Sequence, residues 1–323
     1  MLKRRIGMLA AGLIGLGACA SAARPPTASP VTKPAESLRL VDLTAKFNQV
    51  ASETAGLDDK AKVAAFEKAM AGVADGFYAR SRKPDRYDTR VLKNLAAYPA
   101  QRAAILAVGH DFQQLLVPAR ASFEATFGPV HSDQPIYLLH SLGEMDGGTR
   151  DLGGKTTLIF GADMIARIHA GHDMTPFFHH ELFHVLHEPR FGECEPLWCD
   201  LWEEGLATYV AGSLNPGAGD GALLLDMPAP IRPPVDANRA AAVCAVAPLL
   251  DSTKEDDYAA LFYSSSHLPN FPARMGYYIG YLVAAELGKT RSLRQLAEFN
   301  PAEVRPLIDQ GLTRLATCPK EKS

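Results

Sequence analysis

His180-Glu181-Leu182-Phe183-His184 sets two imidazoles four residues apart, with a carboxylate beside the first, inside an apolar run compatible with a helix. On a helix the two histidines share a face, so both can ligate one metal ion while Glu181 stands close to the water that the ion would bind. The chemistry open to such a set is metal-assisted hydrolysis, in which the carboxylate carries the proton. With ten histidines in 323 residues the bare pattern arises by chance in roughly one or two per cent of chains, so its surroundings decide its weight.

The helix that must carry these residues is punctuated at both ends. Thr175 can serve as N-cap, Pro176 falls at the first helical position where its missing N–H costs nothing, and Pro189 closes the segment by pushing Glu188 out of helical geometry. A helix of about 12 residues is predicted. Phe178, Leu182, Val185 and Leu186 read as its core face. His187, on the same face a turn beyond His184, is a rival ligand or a rim group supporting the ligands. His179 points roughly 100° away from His180 and reads as a packing or surface histidine.

Downstream, Leu201-Trp202-Glu203-Glu204-Gly205-Leu206-Ala207-Thr208-Tyr209 resembles the glutamate helix of the gluzincin metallopeptidases, where an acidic residue before Gly-Phe/Leu-Ala supplies a third zinc ligand. The resemblance is carried by His180 to Tyr209 and implies Zn2+ held by His180, His184 and Glu204, with Glu181 as general base and then acid. Asp200 as N-cap, with Glu203 reaching back to it, would occupy Glu203 and leave Glu204 for the metal. Asp200 as an aspartate ligand is the alternative. A metzincin would need glycine and histidine where this chain has His187 and Arg190. Thr208, one turn after Glu204, could hydrogen-bond a ligand or its own backbone.

Arg274-Met275-Gly276-Tyr277-Tyr278-Ile279-Gly280-Tyr281 opens a further helix. Tyr277 and Tyr281 share a face, and a phenol beside zinc can donate to an oxyanion; aromatic packing is the other reading. Tyr277, Tyr281, His267 and Arg274 are the candidates, with Tyr277 ranked first because exported gluzincins that the chain resembles carry a similar Gly-Tyr-Tyr-x-Gly-Tyr helix. Of the Gly-Ala-Met-Glu-Asn signature of aminopeptidase-type gluzincins only Gly161-Ala162 is present, followed by Asp163. That favours an endopeptidase or processing protease. The alternative is a zincin-scaffold lipoprotein without catalysis that binds an envelope partner.

The N-terminus supplies an address. Basic Lys3-Arg4-Arg5 precede an apolar stretch from Ile6 to Ala18, shorter than the roughly 20 residues a spanning helix needs and suited to a secretory signal. Leu16-Gly17-Ala18-Cys19 resembles the lipobox of bacterial lipoproteins, which implies lipidation of Cys19 and removal of residues 1–18. Residues 19–37, rich in proline and small residues, read as a flexible tether. Ala20 after the cysteine favours the outer membrane, facing the periplasm, by the same resemblance. In an oxidising compartment the four remaining cysteines suggest two disulfides, Cys194 with Cys199 and Cys244 with Cys318. A net charge of −3 gives no basic footprint, so the expected partners are a peptide or protein substrate and the membrane, not nucleic acid.

The expected fold is α+β and zincin-like: a helical part over residues 38–128, then a metallopeptidase-like part over 129–323 with a small sheet packed on the pentad helix and a mostly helical C-terminal portion. Pro135 to Leu139 and Thr156 to Phe160 read as strands joined by a glycine-rich loop, Gly143 to Gly154. Thr156 to Phe160 is the candidate edge strand for an extended peptide.

Overall fold

The computed structural model describes residues 39 to 319. The expected signal (1–18), the expected tether (19–37) and Cys19, the expected lipidation site, lie outside them. β1 (Leu40–Asp42) leads into α1 (Thr44–Thr54) and α2 (Asp59–Ala69), and three short 3-10 turns then lead to α3 (Tyr87–Phe127). α3 runs through Pro99 and Pro118. Each proline removes a backbone hydrogen bond. The helix holds because Val91, Leu95, Tyr98, Ile105, Phe112, Leu116, Ala119 and Phe123 are buried at helical spacing along one stripe.

After α3 come β2 (Ile136–Leu139), β3 (Thr149–Asp151), β4 (Thr156–Gly161), α4 (Ala162–Ile168), α5 (Thr175–Phe191) and α6 (Leu197–Leu214). The remainder is helical: α7 (Arg232–Ala237), α8 (Arg239–Val246), α9 (Glu255–Phe262), α10 (Met275–Gly288), α11 (Leu293–Ala297) and α12 (Pro301–Leu315). The fold is therefore α+β, as the sequence predicts, with helix predominating. Among the described residues no helix is long and apolar enough to cross a membrane.

The sheet has four strands in the order β1-β2-β4-β3. β1 and β2 are parallel, with Leu40 opposite Ile136, and so are β2 and β4, with Tyr137 opposite Ile159; β3 returns antiparallel, with Thr149 opposite Leu158. The two expected strands are β2 and β4. The expected edge is not β4, which lies inside the sheet, but β3, within the segment read as loop. Its residues Thr149-Arg150-Asp151 are polar and follow two glycines, so they carry no apolar alternation. Pairing extends upstream of them, since Ile159 donates to the Gly148 carbonyl at 3.0 Å and Gly161 to that of Asp146 at 2.8 Å.

β1 belongs to the half read as helical, and through it that half adds a strand to the sheet. The apolar core divides elsewhere, into two clusters that meet along α5. Phe177 and Phe178 pack with the sheet and the N-terminal helices, whereas Leu182, Phe183, Leu186 and Phe191 pack with α6, α8, α10 and α12. Both expected disulfides are present: Cys194 after α5 with Cys199 in the first turn of α6, Cα atoms 5.9 Å apart, and Cys244 on α8 with Cys318 after α12, 5.3 Å apart.

Candidate metal centre

α5 is longer than its prolines suggest. Thr175 is its first helical residue rather than its N-cap, and its N–H donates to Asp173 Oδ1 at 2.9 Å. At the other end the helix passes through Pro189 and stops at Gly192, whose φ of 81° suits glycine. Burial of Phe191 explains the extra turn. Its ring stacks on His187 at 4.9 Å and meets Trp198 edge-on at 6.4 Å, which offsets the hydrogen bond lost at Pro189.

α6 also begins earlier than expected, with Pro196 as N-cap and Asp200 inside the first turn. The capping arrangement of Asp200 with Glu203 does not form. What places Glu204 is instead the crossing of α6 and α10. Gly205 and Gly280 meet backbone to backbone: a Cβ on Gly205 would lie 2.3 Å from Gly280 Cα, and one on Gly280 would lie 2.1 Å from the Leu201 carbonyl oxygen.

Three donor atoms converge between α5 and α6. His180 Nε2 and His184 Nε2 are 3.1 Å apart, and Glu204 Oε2 is 3.2 Å from the first and 3.5 Å from the second. Metal bonds of about 2.0–2.2 Å at tetrahedral angles set donor atoms roughly 3.3–3.6 Å apart, so the triangle suits one ion with a coordination position to spare. His180, His184 and Glu204 are thus a group that could hold a metal ion. Neither Glu203 nor Asp200 belongs to it. Nitrogen and carboxylate donors suit zinc and also other divalent transition ions.

The electrostatics separate Glu204 from its neighbours. Burial works against its charge, yet His184 and His180 hold its carboxyl well below the usual range, and Glu204 in turn raises His184. Burial lowers His180 despite its bond to Glu204. Burial also lifts Glu203 to about 8 and Asp200 to about 7, with neighbouring carboxylates adding to both. In this triangle a proton and a metal ion compete for one position.

Glu181 is 6% exposed, and its Oε2 has no hydrogen-bond partner among the described residues. Burial, with Asp146 and Glu204 adding to it, raises its carboxyl to about 8. The chain passes so close that a Cβ on Gly147 would lie 2.9 Å from Glu181 Cδ. A buried carboxyl oxygen left unpaired beside three converging donors fits a site built to receive a further group, such as a metal ion and its water.

Around the donors, Thr208 does both things the sequence left open. Its hydroxyl donates to the Glu204 carbonyl at 2.8 Å and lies 3.5 Å from His180 Nδ1. Glu188 Oε1 stands 3.9 Å from His184 Nδ1 and accepts from Thr149 of β3 at 2.8 Å. Glu188 was legible as the residue four beyond His184, whereas Thr149 had no such signal. Likewise unannounced is the pair of Asp146 and His169, 3.0 Å apart near Glu181.

Two further histidines are structural. His187 is neither ligand nor rim group: it is fully buried, stacked between Phe183 and Phe191, and both ring nitrogens lack partners among the described residues. Burial lowers it to about 3, so it stays neutral. His179 is a packing residue, not a surface one. Asn215 Nδ2 lies 2.8 Å from its Nδ1 and suits a donor there, leaving Nε2–H for the Ala119 carbonyl at 3.0 Å.

Of the four oxyanion candidates, Tyr277 stands beside His180 and Arg274 stands behind Tyr277. The Tyr277 ring centroid lies 6.4 Å from that of His180, and the Arg274 guanidinium sits over the Tyr277 ring at 4.5 Å while donating to the Leu224 and Met227 carbonyls. Burial and Glu204 raise the Tyr277 phenol, keeping it a hydrogen-bond donor. Tyr281 packs on Tyr209 and Tyr278, and His267 is exposed with its Nδ1 at the Leu268 carbonyl. Asp163, where the aminopeptidase signature would continue, accepts from the Ser141 and Gly143 amides at 2.6 and 2.8 Å and so builds the turn after β2.

Comparison with protein-family models, with curated proteins and with solved structures returned no match.

Proposed function

We propose that this chain is a zinc-dependent peptide hydrolase of gluzincin type, with a zincin-like arrangement of sheet, α5 and α6. The observation that carries the reading is the convergence of His180, His184 and Glu204 beside the buried, unpaired carboxyl of Glu181. His180, His184 and Glu204 would hold the ion. Bound zinc supplies Lewis acidity, which acidifies water and polarises a carbonyl.

The chain's own residues do the rest. Beside a bound cation, which favours its charged form, the Glu181 carboxylate takes the proton from the attacking water and returns it to the leaving amine. Tyr277 donates its O–H to the oxygen on which negative charge develops, and Arg274 holds its ring in place. Thr208 and Glu188 orient the two imidazoles. An extended peptide pairs along β3, the edge strand beside α5, which favours endopeptidase or processing activity. The setting is the cell envelope, with the chain held by a lipid on Cys19, at the outer membrane and facing the periplasm.

Cleavage profiling of the metal-loaded full chain on a proteome-derived peptide library tests the reading against a scaffold that only binds an envelope partner. Glu181→Gln should keep its metal and cleave slower by about 10²–10⁴-fold. Cleavage at the parental rate by that variant refutes the mechanism, and a parent that cleaves nothing while binding metal favours the scaffold.

A further inference from the structure

Away from the metal donors, the loop after β2 presents Glu144 to four cations. Lys83 Nζ lies 2.9 Å from its carboxylate, Arg90 Nη2 3.1 Å, Arg82 Nη2 3.2 Å and Arg150 Nε 3.5 Å. Four positive charges against one negative leave three in excess, and among the described residues none of the four cations has a second carboxylate partner.

The cations are held in place by groups that carry no charge. Arg82 donates to the Phe77 carbonyl at 2.7 Å with its guanidinium over the Phe77 ring, Arg90 to that of Ser141 at 3.2 Å, and Arg150 to that of Thr149 at 2.7 Å. Carbonyls fix geometry without neutralising it. Burial lowers the Lys83 ammonium, and Arg90 and Arg82 add to that despite Glu144, so the cluster repels itself. One or two cations suffice to keep a buried carboxylate charged, and the surplus costs stability unless another anion uses it.

Space for such an anion exists beside three of the cations, Arg82, Lys83 and Arg90, and not beside Arg150. A cavity of about 10 Å³ is lined by Arg82, Lys83, Arg90, Tyr78, Tyr87 and Leu142, room for a single oxygen atom. The cations remain partly open to solvent, with side chains 22%, 36%, 21% and 37% exposed for Arg82, Lys83, Arg90 and Arg150, while Glu144 beneath them is 7% exposed. An oxyanion with one oxygen in the cavity and the rest at its mouth would meet the cations of Arg82, Lys83 and Arg90 together.

We propose that Arg82, Lys83 and Arg90 form a binding site for an oxyanion, a carboxylate or phosphate group, with Glu144 as the internal counter-ion that gathers them and Arg150 as a further cation on that carboxylate. The site does not depend on the hydrolase reading. On its Arg150 side it reaches toward the metal donors, because Arg150 follows Thr149, the residue bonded to Glu188.

Calorimetric titration of the metal-free full chain at low salt, with inorganic phosphate and separately with triglutamate peptide, tests it. Saturable binding of either probe is expected, weakened about tenfold in Lys83→Gln and in Arg82→Gln. Phosphate alone binding would assign the site to a free oxyanion, and triglutamate alone to the carboxylates of an acidic chain; both support the site. No saturable binding of either probe, or binding that Lys83→Gln and Arg82→Gln leave unchanged, overturns it. Lys83 is the most exposed of the three N-terminal cations, so its variant keeps the test open should Arg82→Gln not fold.

Discussion

Gly205 of α6 and Gly280 of α10 touch through their backbones, and the contact sits directly beside Glu204 and one turn from Tyr277. A methyl group on either glycine would meet main-chain atoms that cannot rotate away. Gly280→Ala should therefore push the helices apart at a cost of about 1–3 kcal/mol and weaken metal binding as Glu204 retreats from the histidines. Urea unfolding of the metal-free protein, paired with a metal titration, checks both; an unchanged metal affinity would show that the crossing does not position Glu204.

Metal analysis of variants tests the donor set itself. His180→Ala combined with His184→Ala should abolish stoichiometric zinc, and Glu204→Gln should weaken it while circular dichroism stays native. Undiminished zinc in the double variant would place the ion elsewhere.

Glu144 gives a pH dependence whose sign can be worked out. Burial opposes its charge, but Lys83, Arg82 and Arg150 bring it from 4.5 to about 2. A carboxyl depressed on folding stabilises the protein above its unfolded pKa, and the contribution disappears as the pH falls from about 4.5 through 2. It amounts to roughly 3 kcal/mol at most. Glu144→Gln should flatten the fall in stability between pH 5 and 2; an identical slope in both proteins would mean that Glu144 is not held low.

The two disulfides should differ in weight. Cys244–Cys318 closes a separation of 74 residues and Cys194–Cys199 one of 5. Chain entropy assigns about 4 kcal/mol to the first and about 2 kcal/mol to the second. Denaturant melts of the paired Cys→Ser variants should rank in that order, and the reverse would point to strain or to residual structure in the unfolded chain.

What could be read from the residues follows from which forces are local. The pentad helix, β2 and β4, the disulfide pairs and the burial of Phe178 and Leu182 all show in spacing or composition. Prolines 176 and 189 mark α5, yet the last turn survives because Phe191 stacks on His187 and meets Trp198 of α6, packing that the proline rule does not weigh. β3 and β1 are three residues each and draw their pairing from neighbours. Glu204 came from a resemblance, and what distinguishes it from Glu203 is the Gly205–Gly280 crossing. The cations around Glu144 come from three separate stretches of chain and leave no pattern along it.

α5 places Phe177 and Phe178 in one apolar cluster and Leu182, Phe183 and Leu186 in the other. Neither cluster can melt while the other stays whole, because each loses its wall when the helix goes. The metal donors on the same helix thus act as a clamp on global cooperativity. An ion bound with affinity Kd raises the free energy of unfolding of both halves together by RT ln(1 + [M]/Kd), and thermal transitions followed at the sheet and at the C-terminal helices should shift upward in step.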